Sequence, residues 1–322
     1  MSRDPLSRGT DDTRRSGKLK LTTRNRAKVN GTRYRERDET RRVPDISRPA
    51  RRIPVGLASS SVYPLSVPEC FTVASHLGYD GVEIMVSMNA ISQNAAAINE
   101  LSHHYGLPVL SIHAPTLLVM QRVWGKDAWT KVARSAELAA EVGADTVVVH
   151  PPFRWQSDYA ENFVSGVRSI AADTGVHIAV ENMFPWRTGL REVMVYLPGW
   201  DPVGQDYDDV TLDFSHAATA GSDVLHMIES LGSRLRHIHL ADGSGSLKDE
   251  HLAPGYGAQP VGHALELLAE RGWHGSVVVE VNTRKTKSLV ERDELLAHSL
   301  KFAREHMGHE RAGERTQDNG SR

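Results

Sequence analysis

Between residues 54 and 306 the chain alternates short runs of apolar, mostly β-branched residues with longer segments of helical periodicity. Short β-branched runs predict buried strands, and apolar residues that recur every three or four positions predict amphipathic helices. The predicted strands are 54–58, 81–85, 109–113, 146–150, 177–181, 210–214, 235–240 and 276–281. The predicted helices are 68–77, 92–105, 127–142, 159–173, 190–197, 223–231, 261–271 and 288–305, with a long loop at 241–257.

Eight strand–helix units over about 250 residues predict an α/β fold, a (β/α)8 or TIM barrel that spans residues 53–308. An open doubly wound sheet shares this alternation. Its dinucleotide-binding form carries a Gly-x-Gly-x-x-Gly turn, however, and no such turn follows the first predicted strand. Polar residues also end the strands from the third to the eighth. A closed ring brings all these ends to one face, which favours the barrel.

Imidazoles and carboxylates stand at the carboxyl ends of six predicted strands, at the face where barrel active sites lie. They are His113, His150, Glu181, Asp213 with His216 in the loop that follows, His239 and Glu280, and loop 241–257 adds Asp249 and His251. Burying Glu181, Asp213 and Glu280 together without a cation would force some of them to stay protonated. A divalent cation removes this conflict, so the sequence predicts a metal site.

The residue types narrow the choice of metal. Cys70 is the single cysteine, so a thiolate site is excluded, and sets of His and carboxylate suit Zn, Mn, Fe, Co or Ni better than Ca. His237 lies two residues before His239 on the same strand face, and we expect it to pack or support a ligand inside the barrel. Candidate substrate contacts in the loops are Trp186 and, for a substrate phosphate, Arg187 and Lys248.

Charge is divided unevenly along the chain. Residues 1–52 hold 17 Lys and Arg against 7 Asp and Glu, whereas residues 53–322 hold 21 Lys and Arg against 33 Asp and Glu. The first segment has almost no large apolar residue, so we expect a disordered basic arm over 1–52. Residues 309–322 are polar, and we expect them to form a disordered tail. No apolar stretch approaches the roughly 20 residues of a membrane helix, and no signal peptide is recognisable. We therefore expect a cytoplasmic protein without a membrane partner.

Taken as an ordered set, the strand-end motifs resemble those of the xylose isomerase-like TIM barrel superfamily. The motifs are Ser-Ile-His113-Ala-Pro, Val-His150-Pro, Val-Glu181-Asn, Leu-Asp213-x-x-His216, His-Ile-His239-Leu-x-Asp, Asp249-x-His251 and Glu280. The resemblance covers roughly residues 54–306. This superfamily unites sugar and sugar-phosphate isomerases and epimerases with the endonuclease IV family, so the resemblance implies one of two chemistries.

Resemblance to the ketose epimerases implies one divalent metal, such as Mn, Zn or Co, held by Glu181, Asp213, His239 and Glu280. The two glutamates would also exchange the proton at the carbon next to the carbonyl, which the metal acidifies. His216, His113 and His150 would then contact a small sugar-type substrate. The Arg that often follows strand seven in this branch is absent, because residues 242–257 contain only Lys248.

Resemblance to the endonuclease IV family implies three Zn ions and a nucleic-acid partner. Positions matching all nine ligands are present: His113, His150, Glu181, Asp213, His216, His239, Asp249, His251 and Glu280. The acidic barrel is a poor match for a DNA backbone, and the loop 86–94 has no Lys or Arg. We therefore expect a metal-dependent isomerase or epimerase of a sugar, polyol or sugar phosphate. A trinuclear-zinc phosphodiesterase is the alternative, and a metabolite-binding barrel without turnover is a third class.

Overall fold

The computed structural model describes residues 52–115, 122–188 and 191–308. The predicted tail 309–322 lies outside these ranges, as does the predicted arm 1–52 except for Arg52. Within the described part of the chain, no helix is both long and apolar enough to cross a membrane.

Eight parallel strands close into a barrel, as the sequence predicts. The barrel strands are β1 (Val55–Ala58), β2 (Gly81–Met85), β3 (Val109–His113), β4 (Thr146–Val149), β5 (His177–Glu181), β8 (Asp209–Asp213), β9 (Leu235–Leu240) and β10 (Ser276–Val279). Each strand pairs with the next in this order, and β10 pairs with β1 to close the ring. The register places Met85 beside His113 and Asp213 beside His239, so the polar strand ends become neighbours.

Helices follow the strands and cover the barrel. They are α1 (Val67–Leu77), α2 (Ala95–Tyr105), α3 (Ala128–Val142), α4 (Ser157–Glu161), α5 (Phe163–Thr174), α6 (Phe214–Ala220), α7 (Val224–Leu231), α8 (Val261–Glu270) and α9 (Leu289–His306). Local sequence sets their ends. Ser66 and Glu69 form a capping box at the start of α1, and Gly78 ends that helix in the left-handed region at φ 82°. The apolar helix faces and the Val-rich strands share one continuous core.

The predicted helix 190–197 is wrong. In the described part of this segment, β7 (Arg191–Val193) pairs antiparallel with β6 (Trp186–Thr188) as a hairpin, and residues 194–197 are not helical. Tyr196 is buried and forms an antiparallel bridge with Phe153. The pairing of β7 with β6 and the bridge of Tyr196 to Phe153 supply the backbone partners that a helix would otherwise supply.

The end of the strand predicted at 210–214 also differs from the prediction. The strand ends at Asp213, whose carboxylate caps α6 by accepting the backbone N–H of His216 at 2.7 Å. His216 is therefore in the first turn of a helix and not in a loop. This cap fixes the imidazole of His216 relative to the carboxylate three residues earlier.

Candidate active site

A cavity of about 390 Å³ lies at the carboxyl ends of the barrel strands. Its lining combines four imidazoles, three carboxylates and a set of aromatic and thioether side chains. The lining residues are Met85, His113, His150, Phe153, Glu181, Met183, Phe184, Trp186, Tyr196, His216, Asp249, His251 and Glu280. The two remaining predicted ligands, Asp213 and His239, are fully buried and contact residues of this lining. The structure thus brings together all nine predicted ligands.

His239 lies at the centre of the buried polar groups. Its Nδ1 is 2.8 Å from Oε1 of Glu181 and 3.0 Å from Oε2 of Glu280. One donor atom from each of Glu181, Asp213, His239 and Glu280 lies within 4.8 Å of the other three. Three carboxylates and an imidazole at this spacing form a donor set suited to a divalent metal.

Asp213 supplies an observation that fits such a metal. Its side chain is fully buried, and among the described residues none hydrogen-bonds Oδ2. The nearest imidazole nitrogens to this oxygen are Nδ1 of His239 at 3.8 Å and Nδ1 of His251 at 3.9 Å. A buried carboxylate oxygen without a donor is costly. A cation bound between Asp213 and its neighbours would remove that cost.

The electrostatics of the donor set keep both glutamates ionised. Burial opposes ionisation of Glu181, but the imidazoles of His239 and His216 outweigh it and hold the pKa of that carboxyl well below its ordinary value. Burial also opposes ionisation of Glu280, and His239 again outweighs it, lowering the pKa of Glu280 to about 2. At Asp213 burial prevails and raises the pKa.

Three of the lining histidines are oriented by backbone carbonyls. Nδ1 of His113 lies 3.1 Å from the carbonyl oxygen of Ala114. Nδ1 of His216 lies 2.9 Å from that of Asn182, and Nδ1 of His251 lies 2.8 Å from that of Glu280. Because a carbonyl oxygen only accepts, each Nδ1 donates its proton. In the neutral ring Nε2 is then the acceptor nitrogen, through which each histidine could ligate a metal while its Nδ1 is held.

Asp249 forms a second polar group with two of these histidines. Its Oδ2 lies 3.5 Å from Nε2 of His216 and 3.1 Å from Nε2 of His251, and its Oδ1 accepts a 2.8 Å hydrogen bond from Ser215. Donor atoms of Asp213, His216 and His251 also lie within 4.8 Å of one another. Asp213 is therefore shared by two sets of potential ligands. His251 has a positive φ of 45°, a strained conformation typical of functional positions.

His150 and His113 approach the other face of Glu181. Nε2 of His150 is 2.9 Å and Nε2 of His113 is 3.5 Å from Oε2 of that carboxylate. Glu181 thus contacts His239 through one oxygen and His150 through the other.

Glu83 is a buried carboxylate that the sequence analysis missed. It lies inside β2 and is fully buried. Its Oε2 is 3.1 Å from Nε2 of His237 and accepts a 2.7 Å hydrogen bond from the hydroxyl of Ser111. Its Oε1 is 3.2 Å from Nε2 of His239. A carboxylate behind a ligating imidazole fixes which ring nitrogen carries the proton. The available signal was an acid inside an apolar strand, Val-Glu-Ile. His237, expected to support a ligand from inside the barrel, contacts this carboxylate.

Asp242 holds the loop that carries Asp249 and His251. This buried carboxylate accepts four backbone N–H groups at 2.8–3.1 Å. The donors are Gly243, Gly255, Gly257 and Gln259. A side chain at Gly257 would collide with Asp242, so glycine is required for this close approach.

Aromatic side chains form one wall of the cavity. Phe153 stacks on Trp155 at 4.7 Å between ring centroids, contacts Tyr196 at 5.1 Å and meets Trp186 at 6.0 Å. The hairpin places Trp186 here, 40% exposed, so this predicted substrate contact does lie on the cavity. Aromatic faces of this kind are suitable for packing against a small organic ligand.

Arg187 and Lys248 do not line the cavity. The guanidinium of Arg187 binds Glu192 at 2.8 and 3.0 Å and the carbonyl of Thr219 at 3.1 Å. Lys248 is exposed. Their proposed contact with a substrate phosphate stays a prediction.

Residues 71–306 match the family described as xylose isomerase-like TIM barrel. The chain belongs to this family. The resemblance identified from the strand-end motifs is therefore confirmed.

Relatives of this xylose isomerase-like barrel include proteins of both unknown and known activity. An uncharacterised protein of Mycobacterium leprae is 47% identical over 274 residues, which cover 79% of this chain and 98% of that protein. Fructoselysine 3-epimerase of Escherichia coli O157:H7 is 23% identical over 242 residues, or 68% of this chain and 86% of that enzyme. The solved structure of a D-tagatose 3-epimerase-like protein has a TM-score of 0.59 and 25% identity, covering 79% of this chain and 99% of its own.

Proposed function

We propose that this protein is a metal-dependent isomerase or epimerase of a sugar, polyol or sugar phosphate. The carrying observation is that Glu181 and Glu280 both contact Nδ1 of His239, at 2.8 and 3.0 Å, with the buried Asp213 beside them. Names of sugar epimerases among the sequence relatives and solved structures support this proposal.

Glu181, Asp213, His239 and Glu280 would hold one divalent metal, with Mn, Zn or Co as candidates. Such a metal, when bound, polarises the substrate carbonyl and adjacent hydroxyl and so acidifies the carbon between them. Asp213 and His239 are fully buried. They would serve as ligands only, whereas both glutamates also line the cavity.

Glu181 and Glu280 would move the proton. Their lowered pKa values leave both carboxylates ionised at neutral pH, the form that can accept a proton. Ser60 donates a 3.0 Å hydrogen bond to Oε1 of Glu280, which orients the other oxygen toward His239 and the cavity. The aromatic wall with Phe153 and Trp186 would exclude water from one side of the substrate.

Solvent exchange tests this proposal. Metal-loaded protein incubated with ketoses in deuterium oxide should introduce deuterium at the carbon next to the carbonyl. Glu280→Gln and Glu181→Gln should abolish this exchange, whereas Glu250→Gln, which removes a carboxylate that binds Ser244 outside the cavity, should retain it. Metal content is measured for each variant, so that loss of metal and loss of the proton-transferring group are distinguished. Undiminished exchange in Glu280→Gln would exclude its catalytic role.

A trinuclear-zinc phosphodiesterase is the second candidate, and the convergence of nine potential ligands favours it. Asp249 and His251, which a single-metal site does not need, lie at this cavity. No Lys or Arg, however, is among the described residues of its lining, and a phosphodiester backbone is ordinarily bound through cations. About three metals per chain and cleavage of abasic duplex DNA would support this candidate. Ligand-induced stabilisation without any chemistry would instead indicate a metabolite-binding barrel.

A further inference from the structure

A second cavity, of about 480 Å³, shares a boundary with the catalytic one. Met85, the last residue of β2, lines both cavities. Ser60 lines the second cavity and donates its hydroxyl to Glu280, which lines the first. The two cavities are therefore neighbours. A substrate whose reacting carbon lies over Glu181 and Glu280 would extend toward the second cavity.

The second cavity differs in chemistry from the catalytic cavity. It is built by the segments that follow β1, β2 and β10, and hydroxyl and amide groups contribute to its wall, among them Ser59, Ser87 and Asn89. None of the described residues lining it is acidic, and Arg284 is the one cation among them. Three carboxylates line the catalytic cavity. The lining of the second cavity is thus matched to an anionic group.

Arg284 is positioned to bind an anion. Its guanidinium carbon lies over the ring of Tyr63 at 4.3 Å from the centroid, and no carboxylate among the described residues lies within 4.0 Å of its charged nitrogens. Arg187, in contrast, binds Glu192. Stacking on an aromatic ring fixes the plane of a guanidinium while leaving its N–H edges to bind a carboxylate or phosphate in bidentate geometry.

The spacing along the chain suits a substrate of sugar length. Arg284 follows Glu280 by four residues, so their Cα atoms lie no more than about 14 Å apart. The long Arg side chain shortens the distance that the substrate must span. This upper limit is compatible with a six-carbon sugar whose reacting carbon lies near Glu280 and whose terminal acidic group lies at the guanidinium.

We propose that the substrate carries an acidic group, a phosphate or a carboxylate, at the end remote from the reacting carbon, and that Arg284 on Tyr63 binds it. The inference rests on the proposed isomerase or epimerase function, since it names the substrate class of that site. The substrate-binding cation is then Arg284, in the loop after β10, and not Arg187 or Lys248. Met85 would lie against the middle of the substrate.

The test measures dissociation constants by calorimetry with the metal-loaded full chain. The probes are a neutral ketohexose, its terminal phosphate ester and the matching terminal carboxylate. The variants are Arg284→Gln, Arg284→Lys and Lys285→Gln, the last removing the same charge from a neighbouring residue that does not line the cavity. Loss of one charge-assisted bidentate contact predicts an affinity change of about 10- to 100-fold.

The expected result is that at least one acidic probe binds 10-fold or more tightly than the neutral ketohexose. Arg284→Gln should erase this preference without weakening the neutral probe, Arg284→Lys should retain part of it, and Lys285→Gln should leave it intact. Whether the phosphate or the carboxylate binds more tightly distinguishes the two anions. Equal binding of all probes, or an undiminished preference in Arg284→Gln, would overturn the proposal.

Solvent deuterium exchange is measured on the same samples and separates this inference from the proposed function. A preference for the acidic probe that depends on Arg284, without exchange into any probe, would contradict the isomerase or epimerase function and leave the anion subsite standing. Exchange that is equally fast with neutral and acidic probes in wild type and in Arg284→Gln would support the function and refute the subsite.

Discussion

Oε1 of Glu83 lies 3.2 Å from Nε2 of His239, while Nδ1 of the same ring faces Glu181 and Glu280. The imidazole therefore bridges a carboxylate inside the barrel and the carboxylates at the cavity. With Nε2 donating to Glu83, Nδ1 is the nitrogen that would lose its proton and ligate a metal. Glu83 thus determines the form in which His239 enters the candidate metal site.

Replacing Glu83 with Gln should weaken divalent metal binding by about 10- to 100-fold, because the partner that orients a ligating histidine loses its charge. Metal titration followed by calorimetry measures this effect. Ser111→Ala is the matched control, since it removes the 2.7 Å hydrogen bond to Glu83 and leaves both imidazole contacts in place. Its effect should be smaller. Metal affinity that is the same in wild type and Glu83→Gln would refute the orienting role.

Ser60→Ala should lower kcat for solvent exchange by about 10-fold with little change in KM. The reason is that a hydrogen bond to an ionised carboxylate, here the 3.0 Å bond to Glu280, contributes about 1.5 kcal/mol or more. Ser59→Ala is the control on the same turn, because its hydroxyl accepts the backbone N–H of Met85 and does not contact Glu280. A change in KM alone would show that Ser60 binds substrate without positioning the catalytic carboxylate.

The barrel and its ligands could be predicted from the sequence because two signals are local. Val-rich runs identify the strands, and a charge that ends an apolar run, as Glu181 and Asp213 do, identifies a strand end. Glu83 lies inside its strand, so the pattern shows an acid between two apolar residues but not that its side chain faces inward. Val193 and Leu197 have helical spacing, and this pattern alone does not distinguish the segment 191–197 from a helix.

Features that depend on closure of the barrel could not be predicted. Arg284 and Tyr63 are more than 200 residues apart, and they meet because β10 pairs with β1. Likewise, His237 meets Glu83 across the barrel interior. Sequence spacing carries no information about such pairs, since the contact arises only when the last strand joins the first.

Asp242→Asn should lower the free energy of unfolding by about 2–3 kcal/mol. The amide would turn a donor group toward backbone N–H groups that the carboxylate now accepts, leaving buried donors unsatisfied. Chemical denaturation measures the change. Glu250→Gln, on the same loop, should stay within about 0.5 kcal/mol of wild type because it is a surface substitution. Equal stability of Asp242→Asn and wild type would show that the loop does not depend on this carboxylate.

Asp249→Asn should distinguish the single-metal site from the multinuclear one, since Asp249 contacts His216 and His251 and lies outside the four-residue donor set. With one metal held by Glu181, Asp213, His239 and Glu280, the variant should keep about one metal per chain. Its solvent exchange should fall by no more than about 10-fold, the effect expected from losing one hydrogen-bonded contact. Elemental analysis of wild type and variant measures the metal content.

Loss of metal from Asp249→Asn, starting from about three per chain in wild type, would contradict the single-metal site. It would also decide the role of His216. Nδ1 of His216 is held by the carbonyl of Asn182 in either case. If Asp249→Asn loses metal, Nε2 of His216 is a metal ligand and not a substrate contact. A parallel His216→Asn variant should then lose metal to the same extent. With a single metal, His216→Asn should instead retain the metal and raise KM, because the imidazole would contact substrate and not metal.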